Sequence, residues 1–191
     1  MTVQTKPYTL EEYLVLEEQA EYKNEYLNGA IIPMTGGTTA HNQIAGNLYA
    51  ALKYALKGKP YKIYIGDVKV WIPTYRIGTY PDVMVITGEP LYHGKRTTIV
   101  TNPTLIVEVL SKSTRTHDRT DKFDQYRSLE TMKEYLLLEQ TERKAYQYVK
   151  TKLGQWLFTE YRENATLTVA SLALTLPLSK LYDGINFTQT E

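Results

Sequence analysis

The sequence predicts an α/β protein of mixed, α+β character, with a mixed central β-sheet flanked by helices. Three observations predict it. Apolar residues recur at helical spacing in separated segments, β-branched or alternating runs lie between them, and turn residues punctuate the junctions. A length of 191 residues predicts a single domain spanning 1–191, with a core large enough to need no staples.

The elements follow in order. Thr9 stands three residues before Glu12, a capping-box spacing that opens a helix running to about Gln19. Asn28-Gly29 is a hairpin signal, so a short strand belongs on either side of it. Gly36-Gly37 breaks the chain. From His41 to Leu56 the residues Ile44, Ala45, Leu48, Ala51, Leu52 and Leu56 mark a helical face, closed by Gly58. Strands are predicted at 61–65, 68–72, 82–86 and 104–110, separated by Pro73, Gly78, Gly88-Glu89-Pro90 and Asn102-Pro103. Residues 118–128 form a second long helix. Strands return at 134–138, 144–149 and 156–161, and the apolar pieces 172–178 and Leu181 supply one more strand or loop.

Composition narrows the function classes. Hydrophobic residues make up 42% and charged residues 23%, as in ordinary soluble proteins. There is no cysteine, which excludes disulfides, thiolate metal sites and cysteine nucleophiles. The N-terminal residues lack a signal-peptide core and no apolar stretch could span a bilayer, so the expected location is cytoplasmic, with no membrane partner. Twenty-two basic against 21 acidic side chains leave a net charge of +1, without the basic excess of a dedicated nucleic-acid binder. The 17 tyrosines suit strand faces where a ring packs and a hydroxyl stays wet. Walker loops, dinucleotide fingerprints, His-Glu-x-x-His and nucleophile elbows are missing.

The chemistry concentrates on two acids. Glu108 interrupts the apolar run Leu105-Ile106-Val107-Glu108-Val109-Leu110, where an uncompensated carboxylate costs several kcal/mol. Asp82 begins a second such run after Tyr80-Pro81. With a period of two, Asp82, Met84 and Ile86 share one face, as do Ile106, Glu108 and Leu110. If the strands are neighbours, the carboxylates meet and suit a hard cation such as Mg²⁺ or Mn²⁺, with the Val109 carbonyl as a further ligand. The competing reading is a buried ion pair at Glu108 and a strand cap at Asp82. Asp118, Lys122 and Tyr126, spaced four apart, line one helix face that either delivers an ammonium to Glu108 or forms a solvated pair. Glu21 and Glu25 are also four apart, and one of them is a candidate for another oxygen ligand. His41 lies near a helix start, where a cap is commoner than an acid–base group.

Together these motifs resemble the PD-(D/E)XK superfamily of restriction-endonuclease-like folds, and within it the Uma-two family. The resemblance runs through Glu25-Tyr26-Leu27-Asn28-Gly29, His41, Tyr80-Pro81-Asp82-Val83, Glu108-Val109-Leu110-Ser111 and Ser113-Thr114. It continues through Asp118, Lys122 and Tyr126 to Glu134-Tyr135-Leu136. It implies a restriction-endonuclease-like core and a Mg²⁺-dependent site cutting DNA, with Asp82 and Glu108 on the metal and Glu25 or Glu21 contributing. A homodimer is expected by analogy with nucleases that cut both strands. The superfamily lysine belongs at the position held here by Leu110. Lys122 is the candidate replacement and Lys69, on the strand 68–72, its rival. If neither serves, the fold is a catalytically degenerate module that binds nucleic acid or a protein partner.

Overall fold

A computed structural model describes residues 6–111 and 115–187. The Ser113-Thr114 pair of the sequence pattern lies outside the described residues. Helix α1 (Leu10–Gln19) starts where the capping box places it: the Thr9 side chain accepts from the Glu12 backbone and Glu12 reaches back to Thr9. The hairpin of β1 (Asn24–Leu27) and β2 (Ala30–Pro33) follows. At its turn Asn28 and Gly29 both have positive φ, 45° and 99°, and a Cβ on Gly29 would meet Pro7 Cβ at 2.5 Å. Helix α2 (Thr39–Ala55) comes next, capped by Thr38.

The central sheet has six strands in the order β11-β10-β9-β8-β6-β3. These are β3 (Tyr61–Ile65), β6 (Val83–Thr87), β8 (Leu105–Leu110), β9 (Glu134–Glu139), β10 (Lys144–Lys150) and β11 (Trp156–Arg162). Neighbours are antiparallel except β8 and β9, which run parallel and are linked by α3 (Arg115–Arg119) and α4 (Asp121–Arg127).

Alternation along the strands sorts the two faces. Val83 and Val85 of β6, Leu105, Val107 and Val109 of β8, and Leu136 and Leu138 of β9 pack against Ile44, Leu48 and Leu52 of α2. Met84, Ile86, Ile106, Leu110, Tyr135 and Leu137 face the other way, towards Tyr126, Leu129 and Met132. Glu108, between Ile106 and Leu110, therefore turns to the face covered by α4.

The sequence predicts one sheet, whereas the chain builds a second of five strands, in the order β2-β1-β5-β4-β7. The predicted strand 68–72 becomes β4 (Lys69–Ile72) there, paired with β5 (Ile77–Thr79) and β7 (Ile99–Val100). Three- and two-residue strands carry too few residues to show a period. Tyr13 and Leu14 of α1 pack on this sheet against Tyr26, Trp71 and Ile99. The tail forms the hairpin β12 (Thr166–Val169) and β13 (Leu174–Pro177), then α5 (Leu178–Leu181). The helix expected over 118–128 starts earlier and breaks at Thr120 (φ −119°, ψ −82°). The Thr120 hydroxyl bonds the Thr116 carbonyl at 2.8 Å, the competition with the helix ladder that threonine brings. Among the described residues, no helix is long and apolar enough to cross a membrane.

Candidate active site

The antiparallel register of β6 and β8 pairs Val83 with Val107, so Asp82, one residue before β6, falls beside Glu108. Asp82 donates its backbone N–H to Glu108 Oε2 at 3.3 Å, and Asp82 Oδ2 accepts the Val109 N–H at 2.7 Å. Pro81 precedes Asp82, and the ladder gives way here to bonds made by side chains. In an extended strand the N–H and C=O of one residue point the same way, which turns the Val109 carbonyl towards Asp82 as well.

The helix face completes the cluster. Lys122 Nζ lies 3.2 Å from Glu108 Oε1 and 3.2 Å from Asp118 Oδ1, and the Tyr126 hydroxyl donates to Glu108 Oε1 at 2.7 Å. Despite the break at Thr120, Lys122 and Tyr126 both reach Glu108, and Asp118 joins them through Lys122. Asp118 Oδ1 is buried and has no hydrogen-bond partner, so charge alone ties it to the ammonium. On the other side, His41 Nε2 stands 2.9 Å from Asp82 Oδ1. His41 sits in the first turn of α2, its backbone N–H bonded to the Thr38 hydroxyl.

Burial is the strongest influence on Glu108 and pushes its pKa up to about 8; Lys122 pulls it down, while Asp82 and Asp118 push it up. Lys122 responds differently. Burial disfavours its charge, but Glu108 and Asp118 outweigh that and hold its pKa well above the usual value, so the ammonium persists. Burial likewise works against the His41 imidazolium, yet the hydrogen bond and charge of Asp82 prevail and raise its pKa. Tyr126 is held protonated by burial and by the Glu108 charge.

Other sequence candidates lie farther out. Glu25, on β1, accepts from the Thr79 hydroxyl and lines a cleft with Lys122, where its charge bears on Lys122 and Tyr126. Glu21 is exposed in the bend before β1. Lys69 is buried in a separate network: its ammonium donates to the Tyr80 hydroxyl at 2.7 Å, which donates to Glu17 Oε1 at 2.6 Å. Thus Lys122, not Lys69, reaches the paired acids. Leu110, where the superfamily pattern has its lysine, is fully buried in the apolar core.

Sequence reasoning missed three neighbours. Arg115 NH2 bonds the buried Glu139 Oε2 at 2.5 Å, and Thr79 and Gln125 line the cleft beside Lys122. Arg115 is three residues before Asp118 on the same helix, the one signal that could have pointed to it.

Among the described residues, no three His, Asp or Glu side chains converge as a complete metal-ligand set. The donor set nevertheless fits a hard cation that keeps its waters, which needs only one or two carboxylates besides substrate phosphate. Glu108 and Asp118 flank one lysine, Asp82 adjoins Glu108, and one buried Asp118 oxygen has no hydrogen bond. That excess of acid is what a divalent cation relieves.

The chain is similar to known proteins along most of its length. The crystal structure of a "putative nuclease belonging to DUF820" from Anabaena variabilis ATCC 29413 superposes with a TM-score of 0.74 and 21% identity, covering 92% of this chain and 98% of that one. This likeness establishes the restriction-endonuclease-like fold. Two uncharacterized proteins of Synechocystis sp. strain PCC 6803 are closer in sequence. The protein sll1609 is 41% identical over 85% of this chain and 93% of its own length. The protein slr1290 is 36% identical over 93% of this chain and 92% of its own. The model of the Uma2 family, described as "Putative restriction endonuclease", matches residues 10–179, and the chain belongs to that family.

Proposed function

We propose that this protein is a divalent-metal-dependent DNA endonuclease that hydrolyses phosphodiester bonds with water. One observation carries the reading: Asp82 and Glu108 meet across neighbouring strands with the buried Lys122 ammonium on Glu108. The family description supports a nucleic-acid substrate.

Asp82, Glu108 and the Val109 carbonyl would hold Mg²⁺ or Mn²⁺, with Glu25 as an outlying contributor. A cation held there would supply Lewis-acid chemistry, polarising the scissile phosphate and making water more acidic. Lys122 carries the positive charge that neutralises developing charge on the phosphate and orients the attacking water. Asp118 keeps that ammonium from being drawn wholly onto Glu108. Tyr126 fixes the Glu108 carboxylate by its hydroxyl, and His41 fixes that of Asp82. A cytoplasmic location fits a chain without cysteine, and a homodimer would supply two sites for cutting two strands.

The second reading is a degenerate nuclease fold that binds nucleic acid or a protein partner, favoured by the buried Leu110 in place of lysine. Calorimetric titration with Mn²⁺, followed by cleavage of single- and double-stranded DNA, separates the two. Binding and cleavage that both vanish in Asp82→Asn support the nuclease. Metal binding or cleavage that is intact in Asp82→Asn overturns it.

A further inference from the structure

A cleft of about 220 Å³ opens on the Lys122 side of the acid pair, between the β1–β2 hairpin, β5 and the α3–α4 segment. Its walls are mainly aliphatic, with Tyr26 among the lining residues. Leu27 and Ile32 form the mouth, 45% and 43% exposed, and Ile77 lies buried within. Its polar groups are Glu25, Thr79 and Gln125, with the half-exposed His117 and the Lys122 ammonium beside them. The Thr79 hydroxyl donates to Glu25 Oε1, which orients the carboxylate and leaves its second oxygen to accept from a ligand. Lys122 lines the same cleft, and its ammonium is 3.2 Å from Glu108. A group seated here therefore lies one side chain away from the proposed phosphodiester site.

Size and chemistry select the occupant. The volume is below the ~300–1,000 Å³ of pockets that enclose whole drug-sized ligands, so it suits one planar ring system. A base within a stacked duplex cannot enter such a cleft; it must first leave the stack. Aliphatic walls match the flat faces of a base, and a fixed carboxylate accepts from the N–H groups on its edge. Guanine presents two such donors side by side, at N1 and N2. Thymine presents one, flanked by carbonyls that would face the carboxylate.

We propose that this cleft binds a single unstacked nucleobase of a DNA strand, with Glu25 accepting hydrogen bonds from the base edge. The neighbouring phosphate then lies at Lys122, Glu108 and Asp82. Placing the phosphate rests on the nuclease reading, whereas base binding needs no turnover. The protein thereby selects single-stranded or frayed DNA over closed duplex.

The test is fluorescence anisotropy with a dye-labelled, guanine-containing single strand and with its blunt duplex, in Ca²⁺ to hold off cleavage. The single strand is expected to bind about tenfold tighter, the loss of one base contact being worth about that much. Ile32→Trp fills the mouth and should abolish the preference while leaving duplex affinity unchanged. Gln125→Ala, a trimming substitution that threatens the fold less, should weaken single-strand binding severalfold. Equal affinity for both DNA forms, or wild-type binding by both variants, overturns the proposal. Cleavage assays on the wild type and Asp82→Asn keep the two ideas apart. A single-strand preference without Asp82-dependent cleavage sinks the nuclease reading and leaves the cleft standing. Asp82-dependent cleavage without the preference does the reverse.

Discussion

Asp82 Oδ2 accepts the Val109 backbone N–H at 2.7 Å, so a side chain continues the β6–β8 ladder past its last paired residues, Val83 and Val107. The same carboxylate is thus both a structural tie and the candidate metal ligand. Its two roles separate on substitution.

In Asp82→Asn the amide oxygen can still accept from Val109, so stability should change by no more than about 1 kcal/mol. The charge is lost. Mn²⁺ affinity should fall at least ~10–100-fold, the loss typical even of residues that only support a ligand. Calorimetry beside thermal unfolding in chelator checks both parts. A large destabilisation, or unchanged Mn²⁺ affinity, would contradict this account of Asp82.

Lys122 separates Glu108 and Asp118, both nearly inaccessible to water. Lys122→Met leaves two buried carboxylates facing each other and should cost about 3–5 kcal/mol in metal-free urea unfolding. The double variant Lys122→Met/Glu108→Gln should recover much of that loss, because the charge left without a partner is removed with it. Additive losses in the double variant would show that the two side chains are not coupled.

Tyr126→Phe removes the hydroxyl that donates to Glu108 Oε1 at 2.7 Å. Above about pH 8, where Glu108 is ionised, a hydrogen bond to this charged, buried acceptor contributes about 1.5–3 kcal/mol. The variant should lose an amount of that order in urea unfolding, and cleavage should weaken with the fold intact by circular dichroism. Wild-type stability would show that Lys122 alone satisfies that oxygen.

The pH dependence of stability follows from Glu108, raised to about 8 in the folded chain from an ordinary 4.5. Between those values the folded state keeps a proton that the unfolded state has released, so stability falls as pH rises. This contribution is full below pH 4.5 and gone above about 8. His41, raised from 6.5, acts with the same sign: its share is full below 6.5 and lost as pH climbs through its raised value. In chelator, the melting temperature should drop between about pH 5 and pH 8.5, and Glu108→Gln should flatten the drop. An equal slope in that variant would assign the effect elsewhere.

The central sheet was legible because its strands are long enough to show their period, and so was the meeting of Asp82 with Glu108. Alternation puts Asp82 on the face of Met84 and Glu108 on the face of Ile106, while the register that sets the two acids side by side comes from the pairing of Met84 with Ile106. Spacing set Lys122 on one face with Asp118 and Tyr126 but suited a solvated pair equally well; the family resemblance, with Leu110 in the usual lysine position, singled it out. The second sheet was not, since β5 and β7 are three and two residues long and derive their pairing from tertiary contacts. The ion pair of Arg115 with Glu139 was hidden for a related reason. It joins a helix to the end of β9, across a chain separation that no local pattern records.

The last prediction sets the two lysines against each other. Lys69 is 7% exposed and its pKa is lowered chiefly by burial, opposed by Glu17 and Glu18. Its ammonium donates to Tyr80, whose hydroxyl donates to Glu17, and Glu17 in turn accepts from the Asn24 backbone and side chain. This chain ties α1 to the start of β1 and to the segment before β6. Lys69→Met keeps the aliphatic stem packed and leaves the Tyr80–Glu17 bond in place, so it should cost about 1–2 kcal/mol, within the range of single lost hydrogen bonds. Metal-dependent cleavage should remain within about twofold of wild type at a temperature where the variant is folded, whereas Lys122→Met should lower it by about 100-fold or more, as the loss of one transition-state charge contact does. Parallel kinetics of both variants decide the assignment. Equal losses would return Lys69 to the active site, and a loss confined to Lys69→Met would exchange their roles.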